Sequence, residues 1–161
     1  MAERPAVNAS PLIHLAAAKF LDFLQLAGPE IVVPRPVAEE IRAEGAADAA
    51  VKALDSTPWL SIVEPPIVPP VIQAWDLGYG ESSVLAWAHA TRGTVAILDD
   101  LAARRCAATF RIPVRGTLGL VLVAKQRGRI KAARPVLETM RGSGMYLSDS
   151  VLNRALALVG E

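Results

Sequence analysis

An apolar run that stops abruptly at two carboxylates constrains this chain most. Thr94-Val95-Ala96-Ile97-Leu98 is short and partly β-branched, and Asp99-Asp100 follow it directly. A small-residue segment carrying Arg104 and Arg105 comes next and continues at helical spacing through Cys106, Ala107 and Phe110. That order predicts a buried strand, a tight turn and a helix. Open α/β sheets bind ligands outside the carboxyl ends of their strands. Carboxylates placed there predict a hard-cation site if others converge, because Mg²⁺ and Mn²⁺ take oxygen ligands.

The same alternation runs through the rest of the chain. Pro5-Ala6-Val7-Asn8 predicts a first strand. Ser10-Pro11 predicts an N-cap and first-turn proline, opening a helix that carries Leu12, Leu15, Ala16, Phe20, Phe23 and Leu24 and stops at Gly28. Ile31-Val32-Val33 is a second strand ended by Pro34, and Pro36 opens a helix with Val37, Glu39, Glu40 and Ile41. A helical segment over 46–54, a third strand over 59–63 and a proline-rich connector over 65–70 follow. Residues 76–83 form a turn opening a helix that Gly93 closes. Thr94 to Leu98 is then the fourth strand and 112–114 the fifth. Helices are expected over 116–125 and 134–140, with a last one capped by Ser148.

Strands alternating with helices imply a parallel sheet covered on both faces, with right-handed crossovers. The strands are too few for a (β/α)₈ barrel, so a three-layer α/β/α sandwich is expected, as a single domain over 1–161. If strands one and four are neighbours at a topological switch point, Asn8 and Asp99 lie side by side at one rim.

Composition supports a packed core: 52% of residues are hydrophobic and 20% charged. No apolar run is long enough to span a bilayer, and the first residues lack a basic stretch followed by an apolar one. One cysteine, Cys106, excludes an intrachain disulfide and a thiolate metal cluster. A reducing cytoplasm is the expected compartment. Charge is unevenly placed. Residues 1–100 hold 6 Lys/Arg against 13 Asp/Glu, a balance of −7, and residues 101–161 hold 11 against 3, a balance of +8. An acidic half suited to a cation thus precedes a basic half suited to phosphates, although solvated helix faces explain the same counts.

In their order, Val7-Asn8-Ala9-Ser10-Pro11-Leu12-Ile13, Val33-Pro34…Val37-Ala38-Glu39-Glu40-Ile41, Gly78-Tyr79-Gly80-Glu81 and Leu98-Asp99-Asp100-Leu101-Ala102-Ala103-Arg104 resemble the motifs of PIN-like domains. Gly116-Thr117-Leu118-Gly119, Ala124-Lys125, Gly128 and Gly160-Glu161 are similar to the prokaryotic PIN-like subfamily DUF3368, a nucleic-acid-binding, toxin-like group. The resemblance covers nearly the whole chain. It implies a five-stranded parallel sheet in the order 3-2-1-4-5 and a Mg²⁺- or Mn²⁺-dependent ribonuclease. It also implies a toxin of a toxin–antitoxin pair, commonly a homodimer neutralised by an antitoxin protein. Residue by residue, the family's acidic cluster falls on Asn8, on Glu40 with Glu39 as the adjacent option, on Glu81, and on Asp99 or Asp100. The departure is Asn8, where such nucleases carry Asp. An amide oxygen still coordinates a cation but brings no charge, which weakens cation affinity and relieves repulsion among the remaining carboxylates.

Each residue also has a plainer reading. Asp99 and Asp100 suit a helix N-cap as well as a metal, Asp100 especially. Glu81, in a first helical turn, is favoured by the macrodipole alone. Ser10 suits a cap or a metal-bound water. Arg104 and Arg105 can meet phosphate bidentately or pair with acidic neighbours. Thr117 suits a cap or an anion at a helix N-terminus. His14, His89 and the tryptophans read as packing or surface residues. The alternative function is a PIN-like module that binds nucleic acid or protein without cleaving it, which Asn8 keeps open. A small-molecule phosphatase would place a nucleophilic Asp where Asn8 stands.

Overall fold

The computed structural model describes residues 4–44 and 48–161. In chain order the elements are β1 (Ala6–Val7), α1 (Ala9–Ala17), a 3₁₀ segment (Leu21–Leu26), β2 (Ile31–Pro34), α2 (Arg35–Ala43), α3 (Asp48–Ser56), β3 (Leu60–Val63), α4 (Pro70–Gln73), α5 (Tyr79–Ala90), β4 (Ala96–Ile97), α6 (Leu101–Thr109), β5 (Val114–Arg115), α7 (Thr117–Gln126), α8 (Ala133–Gly142) and α9 (Asp149–Leu158). All strand pairings are parallel and the order is β3-β2-β1-β4-β5. Helices flank the sheet, so the α/β architecture and strand order implied by the resemblance hold.

The register fixes the rim. Ala6 and Val7 pair with Ala96 and Ile97, and these in turn pair with Val114 and Arg115. By this register Asn8 is level with Leu98 and Gly116, the residues immediately before Asp99 and Thr117. The Asn8 N–H donates to the Ile97 carbonyl at 3.0 Å, which locks β1 to β4 there. β1 and β4 are fully buried. A two-residue strand holds its place here because both faces are covered by apolar side chains, among them Leu12, Leu85 and Leu120.

The fourth strand is shorter than expected, Ala96–Ile97 against 94–98, and at three further boundaries the difference from the sequence expectation has a local reason. The first helix does not run to Gly28. Lys19 takes φ 65°, Phe20 N–H reaches back to Leu15 O at 2.8 Å and Lys19 N–H to Ala16 O at 3.2 Å. This is a Schellman stop made without glycine, and a separate 3₁₀ turn follows. The fifth strand begins two residues later than expected for the same reason: Arg111 at φ 56° and the Ile112 N–H on Ala107 O (2.9 Å) use Ile112 to close α6. The first helix also starts earlier, with Asn8 rather than Ser10 at the N-cap position. The helical segment expected over 46–54 appears as α3 from Asp48, and positions 46 and 47 lie outside the described residues. Ser148 caps α9 as expected, accepting from Val151 N at 3.2 Å.

Candidate functional site at the sheet rim

The rim carries two neighbouring groups of polar side chains. The first surrounds Gly80 in the opening turn of α5. A Cβ at that position would stand 2.7 Å from Glu40 Oε2 and 3.0 Å from Asn8 Oδ1, so both oxygens line one gap that only a glycine leaves open. Asn8 is buried at 4% exposure, and its Oδ1 has no hydrogen-bond partner. Although it takes the N-cap position, its side chain makes no capping bond. Glu40 comes from the exposed side of α2, but its carboxylate end leans toward α5. Desolvation there, then the charges of Glu81 and Glu44, raise its proton affinity above the ordinary carboxylate range. Glu81 stands in the first turn of α5 with its Oε2 over Gly78. Glu39, the neighbouring option, is exposed beside Arg35.

The second group centres on Asp99. Its Oδ1 accepts from the Thr117 N–H at 2.8 Å, and its Oδ2 accepts from the Thr117 hydroxyl at 2.7 Å and the Ser10 hydroxyl at 3.4 Å. The N-terminus of α7 does bind an anion, and the anion is Asp99 itself. Gly116 makes this possible: a Cβ there would lie 2.5 Å from Arg104 Nη1 and 3.3 Å from Asp99 Oδ1. Arg104 and Asp99 thus face a common gap over Gly116. A cavity of about 310 Å³ opens beside them, lined by Ser10, His14, Asp99, Arg104, Leu118 and Tyr146 among others.

The site residues expected from the sequence divide accordingly. Asn8 and Glu40 meet at Gly80, Glu81 stands near enough for its charge to raise the proton affinity of Glu40, and Asp99, Ser10 and Arg104 form the adjacent group. Asp100 is turned away as the cap of α6, accepting from Ala103 N at 2.9 Å. Arg105 is exposed and lines neither group. Glu40, Glu81 and Asp99 are not gathered around one point: among the described residues, no three His, Cys, Asp or Glu side chains stand close enough to hold one ion. Asp99 is held instead at the start of α7 by Thr117. Cys106 is buried and its thiol is pushed up by burial, as suits a packing residue.

Two further residues, His14 and Tyr146, line the Asp99 cavity. His14 lies one helical turn after Ser10 and therefore faces the same cavity, a signal the i, i+4 spacing carries. Tyr146, 90% exposed, comes from the loop between α8 and α9, and no sequence pattern ties it to the rim.

The donors suit a hard cation in kind, since Asn8, Glu40 and Glu81 offer only oxygens and the Asn8 oxygen is a buried acceptor left without a donor. No described helix is long and apolar enough to cross a membrane. No curated protein matches the chain. A family model described as DUF3368, PIN domain, matches residues 5–161. PIN domains are in general nucleases that use divalent metal ions, and this chain belongs to that family.

Proposed function

We propose that this protein is a Mg²⁺- or Mn²⁺-dependent ribonuclease that hydrolyses RNA phosphodiesters at the rim beside Gly80. The observation that carries the reading is the Asn8 side-chain oxygen. A buried acceptor without a partner costs roughly 1–3 kcal/mol. It sits in the same gap as the Glu40 carboxylate, and a cation is the partner that satisfies both. Asn8, Glu40 and Glu81 hold the ion in this reading. Asp99, held by Thr117 and Ser10, faces it from β4 and orients water or a further ligand, and Arg104 meets the substrate phosphate. A bound divalent ion supplies an activated water and neutralises charge on the phosphoryl oxygens.

The toxin role, an antitoxin partner, a homodimer, a cytoplasmic setting and a single domain over 1–161 belong to the same proposal and rest on the family likeness. Exposed Ile67, Val71 and Tyr79, on the approach to α5, offer apolar surface for a partner chain. A second reading is supported by the separation of Asp99 from Glu40 and Glu81: a PIN module that binds RNA without cutting it. Cleavage assays with Mg²⁺ and with Mn²⁺, wild type beside Glu81→Gln and Asp99→Ala, separate the two. Metal-dependent cutting lost in both variants supports the nuclease. RNA binding without metal-dependent cutting in the wild type supports the module.

A further inference from the structure

The corner beyond Arg104, where β5, α7 and α9 meet, holds a cavity of about 470 Å³. Arg104, Arg115 and Arg154 project around it, and Leu118, Leu122 and Leu158 supply an apolar floor. None of the three guanidinium groups is ion-paired with a described residue, whereas Arg35, Arg42, Arg134 and Arg141 are paired with Glu64, Asp55, Glu138 and Asp149. Arg104 and Leu118 also line the Asp99 cavity, so the two hollows share a wall. Gly116 lies at that wall and puts no side chain between Arg104 and Asp99.

The geometry points to a second nucleotide subsite: a place where the single-stranded nucleic acid that reaches Asp99 continues across Arg104. There Arg115 and Arg154 hold a flanking phosphate, and its sugar and base lie on the leucine floor. Planar guanidinium forks match phosphate oxygens bidentately and also stack on base faces, which an ammonium does not. Three of them over an apolar floor suit a ligand with both an anionic and a flat apolar part. An acidic peptide would satisfy the charges, but it has no use for continuity with the Asp99 cavity. The inference rests on the nuclease reading for the direction of the strand, and its test does not depend on cleavage.

The test is fluorescence anisotropy with a labelled single-stranded RNA and EDTA present, comparing wild type with the Arg115→Gln/Arg154→Gln double variant across a salt series. The expected result is a Kd raised about tenfold or more and a log–log salt slope shallower by about 0.7 for each phosphate contact removed. The Arg115→Lys/Arg154→Lys variant should recover the slope but only part of the affinity. Unchanged RNA affinity in the Gln variant overturns the subsite, as does absence of RNA binding by the wild type at low salt. Unchanged RNA affinity with lost binding of a labelled polyglutamate probe also overturns it and makes the corner a protein-docking site. Loss of RNA affinity in a protein that never cuts RNA supports the subsite while removing the nuclease reading.

Discussion

Thr117 holds both oxygens of Asp99, one through its backbone N–H at 2.8 Å and the other through its hydroxyl at 2.7 Å. Thr117 is fully buried, so its hydroxyl has no water to turn to if the carboxylate leaves. The carboxylate is therefore both the cap of α7 and a fixed charge at the rim. Replacing Thr117 with valine keeps the shape and removes one charge-assisted bond, at a cost of roughly 1.5–3 kcal/mol of stability. Freed on one side, Asp99 should also lose its orientation, and metal-dependent cleavage should fall about tenfold or more. Thr117→Ser should retain most of both. Urea midpoints and cleavage rates on the three proteins check this, and equal rates in the valine variant would separate Asp99 from the chemistry.

Gly80→Ala places a methyl directly in the gap between Asn8 and Glu40. Position 80 lies in α5, where alanine is favoured over glycine by roughly 1 kcal/mol. The added methyl meets the far end of Glu40, which swings aside easily, and Oδ1 of Asn8, which is buried and does not. The clash with Asn8 outweighs the propensity gain, so the melting temperature should fall modestly. Mn²⁺ affinity, read by isothermal titration, should fall. If affinity is untouched, the cation does not sit between Asn8 and Glu40.

Much of this rim was legible in the sequence because parallel strands convert chain order into place. Each strand ends where its apolar run ends, so Asn8 and Asp99 had to share an edge once β1 and β4 were neighbours. What periodicity does not carry is which way a carboxylate turns. Asp99 and Asp100 are adjacent, and each caps a helix: Asp100 caps its own α6, and Asp99 caps α7 from across the sheet. The second is a contact across 18 positions that no local pattern announces. The two overrun boundaries have a similar cause, since Lys19 and Arg111 adopt positive φ without being glycine. Tyr146 reaches the Asp99 cavity from a loop and is invisible to any helical or strand period.

Asn8→Asp restores the carboxylate that PIN nucleases carry, and its effects should have opposite signs with and without metal. Without metal, a buried charge at position 8 joins the partly desolvated Glu40 carboxylate, whose folded-state proton affinity is already raised. A carboxyl whose folded pKa lies above its unfolded value stabilises below the unfolded pKa and loses that contribution as pH rises through the folded value. The metal-free variant should thus be less stable than wild type at pH 7, with the difference shrinking as pH falls through the raised folded values and gone below about pH 4. With Mn²⁺ present the extra charge favours the cation, so binding should tighten and the stability deficit should close. Thermal melts at two pH values, with and without Mn²⁺, read all of this. A variant with unchanged Mn²⁺ affinity would place the ion elsewhere.

Glu161 should dominate the acid limb of stability. Its Oε2 accepts from Lys125 Nζ at 2.8 Å and from Ala133 N at 2.7 Å, and its Oε1 from Arg134 N at 3.2 Å. One side chain thereby caps α8 and ties it to α7. The Lys125 bond first, and the Ala133 N–H second, lower its pKa from the ordinary 4.5 to about 2. A carboxylate with a depressed folded pKa contributes stability above its unfolded pKa and loses it as pH falls through the folded value. Wild type should therefore lose stability between about pH 4.5 and pH 2. Glu161→Gln should be less stable at neutral pH and flatter across that window. The amide keeps an acceptor for one helix N–H but cannot meet Lys125 as a charge, so a smaller loss is expected in Glu161→Gln than in Glu161→Ala, which leaves both N–H groups without the side chain. Urea midpoints from pH 2 to 7 on the three proteins check the assignment, and an acid limb unchanged in both variants would move it to other carboxylates.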